Sequence, residues 1–410
     1  MKKNAASKGS TIWTRNFICV FVIFAMLQFS HTAINTLVSS YAVFLGAGPV
    51  LMGALTGMLF AVALVMRPFI GPITTNVNHR LLMIIASAAG LVSYAGYALF
   101  HDVTIFVIFR LVSGFQYAII GTLGMTMAAD SVPEDKIASG ISMYGLGGAI
   151  LAVFGPSLGI IVRDFGAKLR GDDFSYTLVF LIGVFAMLVS LIASFCIDGS
   201  QKPYEDTGED IGPWYKNIID VHVLPIALLG ALLLIGYSTY NAYMVPFTAE
   251  RGLSGASTFF IVMGVTMFLT KPISGACIEK FGLFKFLIPV IVCDAVSFLF
   301  VGGANTLTAL LTGAVLGAIG HGCALPAIQT MAIQAVPPRK RAVASNTTYL
   351  GLDIGNFLGP MLGGVVYKYS NYSTVMHTAM IPIVIVLGLF FVIYPSFAKR
   401  RDALAAGRIK

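Results

Sequence analysis

The tightest constraint on this chain is the length of its uncharged stretches. From Phe17 to Ser40 no Lys, Arg, Asp or Glu occurs, and similar runs recur to the C-terminal tail. About 20 apolar residues in a helix suffice to cross a bilayer's hydrocarbon core. Continuous runs also disagree with the alternating in-out pattern of a membrane β-barrel. Hydrophobic residues make up 57% of the 410 and charged residues 11%, against roughly 25% charged in soluble domains. Such a chain lacks the polar surface to cover itself in water, so an all-α integral membrane protein is expected. The basic N-terminus before an apolar stretch has the order of a signal peptide. Phe17–Ser40 is too long for an h-region, and it reads as a retained first span.

Twelve spans follow from the apolar runs: Phe17–Ser40, Val50–Thr75, Arg80–Phe100, Thr104–Ala128, Ile137–Val162, Phe174–Ile197, Val223–Pro246, Ala256–Ile278, Phe284–Gly303, Leu307–Ala335, Ala342–Tyr367 and Thr374–Tyr394. Between the sixth and seventh lies "DGSQKPYEDTGEDIGPWYK", polar and rich in acid, Gly and Pro, as interdomain linkers are. The expected organisation is a six-helix bundle at 1–197, a linker at 198–217 and a second bundle at 218–410. Lys2, Lys3, Lys8, Arg15, the "PPRKR" loop and the "KRRDALAAGRIK" tail gather on one face if both termini share it. Cytoplasmic loops carry the excess of Lys and Arg, so both termini are expected inside a cell membrane. The net charge of +8 then belongs to topology and to anionic lipid headgroups, not to nucleic acid.

One chain writes the same hinge twice. "MRPFIGP" places Arg67, Pro68 and Gly71, and "TKPISGA" places Lys271, Pro272 and Gly275, each 204 positions later. At that offset Val132-Pro133 becomes Val336-Pro337, Gly147 becomes Gly351, and Gly155-Pro156 becomes Gly359-Pro360. A constant offset without a gap means two six-helix halves in parallel orientation. Parallel repeats build transporters whose site lies between the halves near the midplane.

With these elements the chain resembles the major facilitator superfamily over nearly its whole length. The features are two parallel six-helix halves, a basic-Pro-x-x-Gly element ending spans two and eight, and Gly-Pro pairs in spans five and eleven. Within it, the twelve-helix branch of proton-coupled drug and metabolite exporters is most similar, a branch that includes opine-type metallophore exporters. The resemblance implies twelve helices in a major facilitator fold and a conformational latch in the loop after the second span. The second half follows that loop's pattern at Gly275, Glu279, Lys280 and Gly282. The first half keeps Gly71 but has Thr75, Asn76 and Asn78 at the acid, basic and second Gly positions, then His79 and Arg80. Asp130, at the end of the fourth span, is the expected latch partner of Arg67 or Arg80. The alternative is ordinary positive-inside charge. Gly155-Pro156 and Gly359-Pro360 resemble the exporter branch's fifth-helix motif, or serve simply as hinges. Small residues let backbones approach and Pro bends a helix.

Intramembrane ionisable groups are functional hypotheses by default. Arg110, in "RLVSGFQ", resembles a fourth-helix element of the family. It is read either as a proton-coupling or substrate residue, or as a cation that satisfies backbone carbonyls. His31 and His321 are candidate proton carriers or ligands because imidazole titrates near physiological pH, with hydrogen-bonded packing as the plainer option. Asp294 is read as a structural acid. Asp353 lies about eleven residues, or 16 Å, into its helix at 1.5 Å per residue. It is the chosen coupling acid, since a buried carboxylate stays protonated until water or a cation reaches it. Gln28, Asn35, Gln116, Tyr237, Tyr240 and Asn241 are expected to line the cavity; the last three come from "GYSTYNAYMVPF" and share a helix face.

No phosphate loop, nucleophile elbow, dinucleotide fingerprint or zinc spacing is present in the sequence, so neither an enzyme nor a metal site is expected. The expected activity is proton-coupled export of a small amphiphilic drug or metabolite by a monomer that needs no cofactor beyond a proton gradient. Uptake or exchange of an organic anion through Arg110 and the histidines is the alternative transport reading. A non-transporting receptor of the same fold is the alternative of another class.

Overall fold

The computed structural model describes residues 12–132, 137–198, 219–337 and 340–406. Within the helices, the side chains at 71–76, 129, 137–142, 146, 149, 150, 152, 153, 271–273, 275, 276, 279, 341, 342 and 405 lie outside that description. Thirteen helices run through the described residues: α1 (Arg15–Phe44), α2 (Pro49–Asn76), α3 (His79–Leu99), α4 (Val103–Asp130), α5 (Ile137–Arg170), α6 (Asp172–Phe195), α7 (Leu224–Glu250), α8 (Ala256–Phe281), α9 (Leu283–Gly302), α10 (Leu307–Gln334), α11 (Arg341–Tyr369), α12 (Tyr372–Thr378) and α13 (Met380–Ala405). The last two are one span, interrupted at Ala379, so the chain is an all-α membrane protein of twelve spans in two parallel six-helix repeats. Nine helices among the described residues are individually long and apolar enough to cross a bilayer.

The repeat is reproduced in the backbone. Helices α3, α4 and α5 begin at His79, Val103 and Ile137, and α9, α10 and α11 begin at Leu283, Leu307 and Arg341, each 204 positions on. The turns that start α3 and α9 use different chemistry at equivalent positions. Asn78 accepts hydrogen bonds from the amides of Arg80 and Leu81, as a good N-cap does. Gly282 instead adopts φ 78° and ψ 151°, a region open essentially to glycine alone. Asn78, a departure from the family's loop pattern, is therefore a helix start.

Two spans run furthest past their expected limits. Helix α5 continues past Val162 to Arg170, because "RDFGAKLR" offers good helix formers until Gly171 turns away at φ 83°. Helix α13 continues through the basic tail to Ala405. The expected linker, apart from Asp198, lies outside the described residues.

Large apolar side chains such as Val65, Phe185, Phe268 and Val392 are exposed on the outer surface. That band suits a lipid solvent, in which apolar surface needs no covering. Polar groups turn inward instead. Each half packs upon itself, α1 with α5 and α3 with α6 in the first, α7 with α11 and α9 with α10 in the second. The largest contacts between the halves are α2 with α11, α5 with α8, and α1 with α7.

These joints are tightest at the face opposite the termini. Gly53 and Gly57, near the start of α2, lie against the backbone of Pro360 and Phe357 on α11, and Gly364 lies against Pro49 and Gly53. A Cβ on Gly53 would stand 2.2 Å from the Pro360 carbonyl oxygen, so only glycine permits this approach. The Tyr243 hydroxyl donates to the same carbonyl at 2.5 Å, and the Ser39 hydroxyl of α1 donates to the Ala242 carbonyl of α7. Ser157 of α5 donates to the Ser257 carbonyl of α8 at 3.1 Å. The face opposite the termini is closed by backbone-close contacts.

Candidate functional site

Nine residues before the end of α2, about 14 Å from it at 1.5 Å per residue, Arg67 reaches across to α11. Its Nε and Nη2 donate to the two carboxylate oxygens of Asp353, the second bond at 3.3 Å. This is the one ion pair among the described residues that joins the two halves. Asp353 is 3% exposed, and its partner's side chain 13%. The two-pronged guanidinium matches the carboxylate in a way an ammonium does not. The Arg67 guanidinium also lies 5.4 Å from the Tyr349 ring, and its Nη1 donates to Thr122 Oγ1 at 3.4 Å. Helices α2, α4 and α11 thus converge on one cation and one anion.

An aromatic wall adjoins them. Tyr117 of α4 is within electrostatic reach of both charges, and its ring lies 5.1 Å from His31 and 5.5 Å from Phe60. His31 is buried, and its Nδ1 has no hydrogen-bond partner among the described residues. On α11, Tyr349 is 38% exposed; together with exposed Thr126 it marks the open side of the site, toward the face that carries the termini.

Several residues chosen from sequence are placed elsewhere. Arg110 is committed: Nε and Nη2 donate to the Leu55 carbonyl at 3.0 and 2.9 Å, and Nη2 also donates to Asn35 Oδ1 at 2.6 Å and the Thr56 carbonyl at 3.2 Å. It ties α4 to α1 and α2, in the carbonyl-satisfying role, and takes Asn35 with it. Gln116 is fully buried and donates toward Met187 of α6 at 3.4 Å, packed against α3 and α6 and not expected from the cavity-lining reading. Tyr240 stacks on Phe298 at 4.1 Å and shares a hydrogen bond with Ser297 at 2.7 Å. Its face of α7 is turned to α9, because three residues at 3.6 per turn leave it about 60° away from the Tyr237 direction.

Tyr237 stacks on His321 with centroids 4.1 Å apart, and Asn241 donates to the Tyr237 carbonyl at 3.1 Å. Gln28 lies beside Gly148 on the α1–α5 contact. Asp294 is buried on α9, and its Oδ1 has no hydrogen-bond partner among the described residues.

The expected latch is corrected as well. Arg67 pairs with Asp353 and not with Asp130, since its position on α2 faces α11 far from the helix end. Arg80 donates to the Phe195 carbonyl at 2.9 Å. Asp130 ends α4 on the surface, where partial burial raises its carboxyl above the usual range and the His79 charge opposes that. Lys280 is exposed, while the side chains at Gly71, Gly275 and Glu279 lie outside the described residues. At the hinges, Gly155 fits against Thr32 and Gly359 against Ser238, where an added Cβ would come within 2.0 Å of either hydroxyl oxygen. Pro156 and Pro360 sit inside α5 and α11. Sequence reasoning found both partners of the ion pair but not the pairing.

Comparison with known proteins agrees with this architecture. Residues 17–301 and 226–408 match the Major Facilitator Superfamily. The uncharacterized MFS-type transporter YtbD of Bacillus subtilis (strain 168) is 23% identical over 354 residues, covering 83% of this chain and 85% of that protein. The staphylopine export protein of Staphylococcus aureus (strain Mu50 / ATCC 700699) is 20% identical over 273 residues, 63% of this chain and 64% of its own. The fold is similar to a bacterial homolog of the human lysosomal transporter Spinster in an inward-facing, unoccupied conformation. The TM-score is 0.77 and the identity 19%, with 97% and 99% of the two chains covered. A twelve-span chain of two parallel halves, matched over almost its full length, belongs to the Major Facilitator Superfamily of membrane transporters and is not an enzyme.

Proposed function

We propose that this transporter exports a small amphiphilic drug or metabolite in exchange for protons, with Asp353 as the coupling acid. The observation that carries the reading is the Arg67–Asp353 pair, which bridges the halves at depth beneath a closed face. A proton on Asp353 removes the anion that holds Arg67, so protonation loosens one joint between the halves. Rocking of the halves then exposes the site to the other side. An amphiphilic cargo suits the Tyr117, Phe60 and Tyr349 walls. The staphylopine relative is an export protein by name, and the Lys and Arg distribution favours cytoplasmic termini in the cell membrane. On that orientation the conformation described is open to the cytoplasm. The protein is proposed to act as a monomer among anionic lipids. Organic-anion transport through Arg110 loses support, because that guanidinium is engaged with Asn35 and two carbonyls.

The test is internal pH in proteoliposomes with a trapped pH dye. Lipophilic cations, neutral amphiphiles and organic anions are added in turn to wild type and Asp353→Asn. Proton movement opposite to substrate, lost in Asp353→Asn, is the expected result. Protons travelling with an organic anion, or an unaffected variant, would overturn the reading.

A further inference from the structure

The charge pair itself restricts what the transporter carries. Asp353 and Arg67 are each other's counter-charge in a site walled by Tyr349, Tyr117 and Thr122. Removing one member of a buried pair is strongly destabilising, because the remaining charge is left uncompensated. A solute with only a positive group that takes Asp353 leaves Arg67 with a hydroxyl and a ring face, neither of which carries a full charge. A solute with only a negative group that takes Arg67 strands Asp353. A solute bearing both groups exchanges both partners at once and strands neither.

Resting on the proposed export reading, we propose that the transported solute is zwitterionic. Its carboxylate-type anion docks on Arg67, its ammonium-type cation docks on Asp353, and its apolar body lies along Tyr349 and Tyr117. Both charges lie beside the open side of the site, marked by exposed Tyr349 and Thr126. Proton exchange follows from the same arrangement. The cationic group and a proton compete for one carboxylate, so an Asp353 protonated from the far side must give that proton to the water of the open face before Arg67 or the cationic group can pair with it. No bond in the solute is made or broken. Aromatic faces add an attraction for the cationic end. The bidentate geometry of Arg67 selects a planar oxyanion over a halide-like ion.

The experiment uses three probes that share one apolar body. They are 2-amino-4-phenylbutanoate (zwitterion), 3-phenylpropylamine (cation) and 4-phenylbutanoate (anion). Binding of each to purified full-length protein in lipid nanodiscs is measured by calorimetry without a proton gradient, for wild type, Arg67→Gln, Asp353→Asn and the double variant. Wild type is expected to prefer the zwitterion by about tenfold or more over either singly charged probe, equivalent to about 1.4 kcal/mol. Arg67→Gln is expected to shift preference to the cation, and Asp353→Asn to the anion. The double variant, which leaves no lone buried charge and guards against misfolding, is expected to lose all charge preference.

Equal binding of cation and zwitterion to wild type, or no binding by any probe, overturns the proposal. So does a preference unchanged by the single variants. Proton flux is read separately with the trapped dye. Proton exchange driven by the cation probe alone would leave coupling standing and sink the zwitterion. The predicted preference without proton movement would sink coupling and keep the zwitterion.

Discussion

The α2–α11 and α5–α8 joints are related by the internal repeat, yet they are built differently. At α2–α11, Gly53 and Gly57 let two backbones touch, and Arg67 and Asp353 add an ion pair below them. At α5–α8 the positions equivalent to Gly53 and Gly57 are Ser257 and Ile261, and the described polar link is the Ser157 hydroxyl on the Ser257 carbonyl. The cation is repeated, as Lys271, but the position equivalent to Asp353 is Ala149. The cation is thus written twice, and the close glycine packing and the ionic partnership once. Among the described residues one joint alone has an ion pair between the halves, so on the proposed coupling protonation would act on the molecule asymmetrically even though the scaffold is repeated.

The largest expected effect comes from wedging the closer joint. Gly53→Leu puts a side chain where the Pro360 carbonyl stands, and overpacking costs about 1–3 kcal/mol or more where nothing yields. Opening the face opposite the termini relieves the clash. Cysteines introduced in the opening should become reactive from that face, with substrate counterflow down by at least about tenfold, a shift of roughly 1.4 kcal/mol. Ser257→Leu should do much less, since its joint is looser at that position. Equal effects of the two substitutions would show that the joints do not differ in the way described.

Next in size is loss of the Arg110 bonds, which hold the first half together independently of either joint. Hydrogen bonds to a charged group are worth about 1.5–3 kcal/mol. Arg110→Lys keeps the charge but loses the fork that serves Leu55, Thr56 and Asn35 together. A drop of several degrees in detergent melting temperature is expected, with the charge preference of the site unchanged in the protein that remains folded. A changed charge preference with unaltered melting would return Arg110 to the substrate site.

Ala149→Asp sharpens the comparison from the other direction, by offering Lys271 the acid that the repeat omits. A second ionic lock between the halves is expected to slow transport severalfold while raising thermal stability. Restoration of the rate at a pH low enough to protonate carboxylates is the check. An unchanged rate would mean that the repeat's symmetry does not extend to the faces of α5 and α8.

Much of this was legible in the sequence, and the boundary has a physical cause. Apolar runs mark spans because a bilayer tolerates few alternatives, and the constant offset marks the repeat because gaps would break it. The helix starts at His79 and Leu283 keep that offset. Rotation about each helix axis was not legible. Tyr237 and Tyr240 were assigned to one face, yet Tyr240 turns to Ser297 while Tyr237 meets His321. Gln116 fell on the wrong side of α4 for the same reason, since spacing gives angles between residues but no absolute orientation. The Arg67–Asp353 pairing spans 286 positions and depends on how two halves dock. Family analogy pointed Arg67 to Asp130 instead.

The smallest expected effects lie where the repeat solves one problem by two means. Asn78 starts α3 with its side chain, and Gly282 starts α9 with a backbone that other residues resist. Gly282→Ala should cost about 1–3 kcal/mol, because the backbone must leave its conformation or bear the strain. Asn78→Ala should cost about 1 kcal/mol through loss of the cap, and Asn78→Gly only a few tenths. Melting of the purified protein in one detergent ranks the three. The order matters more than the sizes. Were Asn78→Ala the most damaging, the first-half turn would depend on Asn78 for more than capping. The departure of that loop from the family pattern would then mark a latch of another kind, and not the loss of one.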